Sequence, residues 1–142
     1  MMQKLDVPVV SLISRTAIVM REDNTVAEAV ERMSSENIGS VVVVDDAMRP
    51  VGIFTERDLL MRVCARNLDP RETRLGEVMT RDPIVVREDE PARKAMEAMI
   101  HFGFRHIPIV DSRGKVVGVL SLRDLSRLAA GEVDVDELHS AG

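Results

Sequence analysis

Two short strings carry the side chains best suited to chemistry, Thr55-Glu56-Arg57-Asp58 and Ser121-Leu122-Arg123-Asp124. Each sets a hydroxyl three residues ahead of a carboxylate with an arginine between, just after an apolar run that opens on Gly52 or Gly118. The spacing fits a capping box, in which the hydroxyl accepts from the amide three residues on; such a cap contributes about 1 kcal/mol and requires no ligand. The same atoms fit a second use. A helix N-terminus suits phosphate, a hydroxyl can donate to it, and an ionised aspartate, which only accepts, suits two vicinal sugar hydroxyls. Hydroxyl, carboxylate and arginine at a helix start form a set shaped for a nucleotide, and both readings stand at this point.

The two strings are 66 residues apart, and so is nearly everything around them. With that offset, Val9–Leu60 lies over Leu75–Ser126 without a gap, and sixteen of 52 pairs are identical. The matches include Arg21-Glu22-Asp23 over Arg87-Glu88-Asp89, Val44-Asp45 over Val110-Asp111 and Val51-Gly52 over Val117-Gly118. Two copies of this length argue for a pair packed about a pseudo-two-fold axis rather than a solenoid of small units. Each copy is small enough for its core to be marginal alone, so the copies are expected to fold against each other as one domain.

The hydrophobic spacing yields the same elements twice. Val26, Ala29, Val30 and Met33 fall on one helical face, as do Ala92, Ala95, Met96 and Met99. β-branched runs at Val41–Val44 and Ile107–Val110 predict strands ending at Asp45 and Asp111, with Ser112-Arg113-Gly114 as a hairpin turn. Further strands are expected at Val51–Phe54 and Val117–Leu120, helices from near Thr55 and Ser121, and short leading strands at Ile18–Met20 and Ile84–Val86. Each copy thus reads β-α-β-β-α. The expected boundaries are 8–65 for the first motif, 66–74 for a linker containing Pro70, 75–130 for the second motif and 131–142 for an acidic tail.

Composition narrows the function. The chain has 142 residues, a net charge of −5, no Trp or Tyr and three Phe, which makes nucleic acid an improbable partner. The single cysteine, Cys64, excludes an internal disulfide; its apolar neighbours Leu60 and Val63 predict a buried thiol. No 18-residue apolar run and no signal-peptide layout are seen, so a cytoplasmic protein without a membrane span is expected. His101 and His106 are five apart, with Gly103 between, and His139 is remote, so no metal site is expected. Glycine-rich phosphate loops are lacking, and no acid–base pair is placed for catalysis.

The repeat, the order of elements and both junctions resemble a tandem pair of CBS motifs, the Bateman module named through cystathionine β-synthase. The second copy carries the family's phrases at Val78-Met79-Thr80-Arg81-Asp82-Pro83-Ile84-Val85, at Arg105-His106-Ile107-Pro108-Ile109-Val110-Asp111 and at Gly118–Asp124. The resemblance covers about residues 8–130 and implies two pseudo-symmetric β-α-β-β-α motifs packed as one α+β module. It implies clefts able to take AMP, ADP, ATP or S-adenosylmethionine.

Carried over by position, Asp58 and Asp124 would hold ribose hydroxyls, and Thr55 and Ser121 would sit by ribose or phosphate, with Arg57 and Arg123 beside them. Ser14 and Thr80, with Ile18 and Ile84, would border adenine, and Arg105 and His106 would face phosphates. The first copy departs from the pattern at Ala17, opposite Pro83, and at Gly39-Ser40, opposite Arg105-His106. Its phosphate side is the poorer in charge.

The resulting expectation is a regulatory adenosine-nucleotide sensor that is not an enzyme. It would need no cofactor and would signal through an unknown effector protein or through a homodimer whose interface includes the second helices. The alternatives are a structural dimerisation module with non-functional clefts and an enzyme acting on a nucleotide.

Overall fold

The computed structural model describes residues 5–13 and 17–130. Two compact units emerge, one from Ile18–Pro83 and the other from Met1–Ala17 with Ile84–Gly142. Ser14, His139 and the tail at 131–142 lie outside the described residues.

In the unit at Ile18–Pro83 a four-stranded sheet runs in the order β1 (Val19–Met20), β2 (Ser40–Val44), β3 (Pro50–Thr55), β4 (Thr80–Arg81). The β1–β2 pair is parallel and the other two pairs are antiparallel. Helix α1 (Val26–Glu36) crosses between β1 and β2 and buries Val26, Ala29 and Met33, the face its spacing predicts. Thr25 caps it reciprocally with Glu28, and Asn37 ends it in the left-handed region at φ 54°. The second helix starts as α2 (Glu56–Asp58) and continues as a π-helix over Leu59–Cys64. Helix α3 (Leu75–Val78) precedes β4.

The other unit repeats the plan with β5 (Val86–Arg87), β6 (His106–Val110) and β7 (Val116–Ser121), where β5–β6 is parallel and β6–β7 antiparallel. Helix α4 (Ala92–Phe102) buries Ala92, Ala95 and Met99 and ends at Gly103, φ 76°. Helix α5 (Leu122–Ala130) follows β7 directly. Both hairpins turn on an aspartate. Asp45 Oδ1 accepts from the Ala47 and Arg49 amides, and Asp111 Oδ1 accepts from the Arg113 and Lys115 amides.

The segment leading into each repeat belongs to the unit built by the other. Val9 and Leu12, on a single 3-10 turn at Val9–Leu12, are packed in the core of α4, α5 and the β5–β7 sheet. Leu75, Val78 and Met79 fill the equivalent place beneath α1 and the β1–β4 sheet. The join is tight at one glycine in each unit. A Cβ on Gly52 would collide with the Met79 thioether, and one on Gly118 would come within 2.7 Å of Ile13 Cδ1 and Cγ2.

The leading 3-10 turn, α3 and β4 had no counterpart in the sequence expectations. The strand expected at Ile84–Val86 forms at Val86–Arg87, leaving Ile84 and Val85 exposed. Cys64 corrects the expectation of a buried thiol, because its side chain is exposed. Of its two apolar neighbours only Val63 is buried, and Leu60 is 61% exposed; Met61, beside Leu60, is 55% exposed. In the π-helix the Ala65 amide reaches back five residues to the Leu60 carbonyl, so the face extrapolated at α-helical spacing is not the face that turns inward.

Candidate functional site

At the first junction β3 delivers Thr55 in an extended conformation (φ −120°, ψ 169°) to the start of α2. The cap is complete. The Asp58 amide donates to Thr55 Oγ1 at 3.3 Å, and Asp58 Oδ2 accepts from the Thr55 amide at 3.0 Å and from its hydroxyl at 3.2 Å. The Glu56 amide donates to the Gly39 carbonyl, just before β2, at 3.1 Å. Asp58 is 7% exposed, and its other oxygen is also engaged. Oδ1 accepts from the Thr80 hydroxyl at 3.2 Å and faces Arg62 Nε at 3.5 Å.

The second junction repeats the hydroxyl–carboxylate cap with fewer contacts to the carboxylate. Asp124 donates its amide to Ser121 Oγ at 3.2 Å, and the Ser121 hydroxyl donates to Asp124 Oδ2 at 2.9 Å. The Leu122 amide donates to the Arg105 carbonyl at 2.8 Å. His106 pairs with Ser121 in the β6–β7 register, as Ser40 pairs with Thr55 between β2 and β3. That register brings Arg105 and His106 to the junction, where Arg105 is exposed and His106 half-buried. Asp124 is half-buried, and among the described residues its side chain accepts from Ser121.

The predicted site residues therefore sort by unit. Ile18, Thr55, Arg57, Asp58, Thr80 and Pro83 fall in the unit at Ile18–Pro83, where Thr55, Asp58 and Thr80 form one hydrogen-bonded group. Ile84, Arg105, His106, Ser121, Arg123 and Asp124 fall in the other unit. Arg57 and Arg123 are exposed beside their aspartates.

Sequence reasoning missed Arg62. It lies four residues after Asp58, the acid-to-base spacing of a helical ion pair. Its Nη1 also donates to the Met79 carbonyl at 2.9 Å and the Val78 carbonyl at 3.3 Å. Among the described residues, no group of three His, Cys, Asp or Glu could hold a metal ion, and no helix is long and apolar enough to cross a membrane.

The CBS domain model matches residues 8–64 and 75–131, and the chain belongs to this family. An uncharacterised 17.7 kDa protein of Acidianus ambivalens is 41% identical over 119 residues, 83% of this chain and 71% of that protein. A Methanopyrus kandleri relative, also uncharacterised, is 35% identical over 78% of this chain and 57% of its own length. The crystal structure of the CBS domain pair of protein MJ0100, in complex with 5-methylthioadenosine and S-adenosyl-L-methionine, superposes with a TM-score of 0.79. It is 30% identical and covers 88% of this chain and 97% of that one. A CBS domain protein from Pyrobaculum aerophilum complexed with AMP gives 0.78 at 29% identity, over 87% and 99% of the two chains. Tandem CBS motifs in a mixed α+β fold are thus established, as the repeat implies.

Proposed function

We propose that the chain is a regulatory module that senses an adenosine nucleotide or S-adenosylmethionine through its two junction aspartates, without catalysis. The observation that carries this reading is Asp124, a half-buried carboxylate at the start of α5 that, among the described residues, keeps acceptor capacity beyond its cap. A ribose diol needs such an acceptor. Related pairs solved with AMP, and with S-adenosyl-L-methionine and 5-methylthioadenosine, support the ligand class. Arg105 at the same junction adds a cationic donor for phosphate, with His106 next to it, where the first junction has Gly39 and Ser40, so the second junction is the stronger phosphate site. The occupied module would act in the cytoplasm on an effector protein or through its own homodimer.

The test is mass spectrometry of small molecules retained by the native protein, joined to melting with AMP, ADP, ATP and S-adenosylmethionine. A retained adenosine compound and a raised melting temperature are expected, with ATP recovered unchanged after incubation. No retained compound and no shift would leave the rival reading, a structural dimerisation module. Leu60 and Met61, exposed side by side on the second helix, are the feature that favours that rival.

A further inference from the structure

The first junction differs from the second in more than Arg105 and His106. A carboxylate offers about four lone-pair sites. At Asp58 the Thr55 amide, the Thr55 hydroxyl and the Thr80 hydroxyl take three of them, and Arg62 Nε stands 3.5 Å from Oδ1 as an ion pair. A ribose diol requires two of those sites. Arg62 is itself held, its Nη1 donating to the Val78 and Met79 carbonyls just before β4. The guanidinium therefore bridges the carboxylate and the strand-entry segment of the same unit. At the second junction the repeat places Leu128 where the first has Arg62, and Leu128 is buried in the core of its unit. Nothing cationic stands four residues after Asp124.

We propose that Arg62 is an internal ligand of Asp58, a positioning residue that latches the first junction against ribose and leaves the second open. This rests on the reading that the junction aspartates hold ribose hydroxyls. The latch is releasable because the Arg62 side chain is 42% exposed and can turn to water without burying its charge. Arg62 thereby adds a ribose-side difference between the two sites to the phosphate-side difference made by Arg105 and His106.

The experiment is calorimetry with AMP as the probe, in an Asp124→Asn background that silences the second junction. Arg62→Leu copies the residue of the second repeat, and Arg62→Gln keeps a polar side chain should the leucine disturb folding. Either variant is expected to bind AMP about tenfold more tightly than the background protein, the scale of one charge-assisted contact. The melting temperature without ligand should fall, because the carbonyl and carboxylate contacts of Arg62 are lost. Tighter binding with lower stability separates a latch from a purely structural ion pair, whose removal would weaken both. Adding Asp58→Asn should abolish the gain.

Unchanged or weaker AMP binding in both folded variants, with wild type binding AMP at Asp124, would overturn the latch alone. No AMP bound by wild type or by any variant would overturn both the latch and the sensing function.

Discussion

Ile13 lies over Gly118 so closely that a Cβ at that glycine would meet Ile13 Cδ1 and Cγ2 at 2.7 Å. The glycine is thus required by a neighbour rather than by its own backbone conformation, and that neighbour comes from the segment leading the first repeat. Gly118→Ala is expected to destabilise the protein by about 1–3 kcal/mol through overpacking, since the branched Ile13 has little room to turn. Gly52→Ala, which presses on the flexible Met79 thioether, should cost less. Denaturant unfolding of the two variants checks the order; equal, negligible losses would mean that the leading segments are not keyed at these glycines.

The hairpins supply a second comparison. Met48 has φ 63° at the position where the second repeat has Gly114, φ 82°. A left-handed conformation costs a side-chain-bearing residue of ordinary type roughly 1–2 kcal/mol, part of which glycine's extra unfolded-state freedom returns. Met48 is 37% exposed and has little packing to lose. Met48→Gly should raise stability by about 0.5–1 kcal/mol. A lower melting temperature for this variant would show that the first turn is held by its side chain.

Acid should weaken both hairpins. The Arg49 amide, with that of Ala47, holds the Asp45 carboxyl below its ordinary pKa, and the Lys115 amide, with that of Arg113, does the same for Asp111. For each group the folded pKa is lower than the unfolded one, so its stabilisation is complete above the ordinary carboxylate range. It is lost as pH falls through the lowered folded value. The melting temperature should therefore decline below about pH 4, and less so in the Asp45→Asn, Asp111→Asn double variant. Parallel pH curves for the two proteins would assign the acid sensitivity elsewhere.

Self-association is expected to use the second helix of the first repeat, where Leu60 and Met61 are exposed. Leu60→Glu with Met61→Glu should convert a homodimer to a monomer in light scattering at micromolar concentration. A monomeric wild type, or a dimer that survives both charges, would place the interface elsewhere or remove it.

Much of this was legible in the sequence because it is local. The 3.6-residue spacing located α1 and α4 and their buried faces, and the β-branched runs located β2, β3, β6 and β7. The capping strings at Thr55 and Ser121 form as written. What escaped depends on distant neighbours. Leu75, Val78 and Val9 show no long periodic run, and their burial follows from the exchange of leading segments, which no local pattern encodes. Cys64 was misread because its stretch winds as a π-helix. The Asp58–Arg62 pair was visible as spacing, but its hold on the Val78 and Met79 carbonyls was not.

The most direct test of the sensing function is calorimetric titration of AMP into wild type and Asp124→Asn, each paired with a melt without ligand. An asparagine oxygen can still accept from the Ser121 hydroxyl, so most of the cap should survive and the melting temperature should barely move. The ribose would lose a charged acceptor, about 1.5–3 kcal/mol, so AMP affinity should fall at least about tenfold. No AMP binding by wild type, or undiminished affinity in the variant with a lowered melting temperature, would contradict it and make the junction a helix cap.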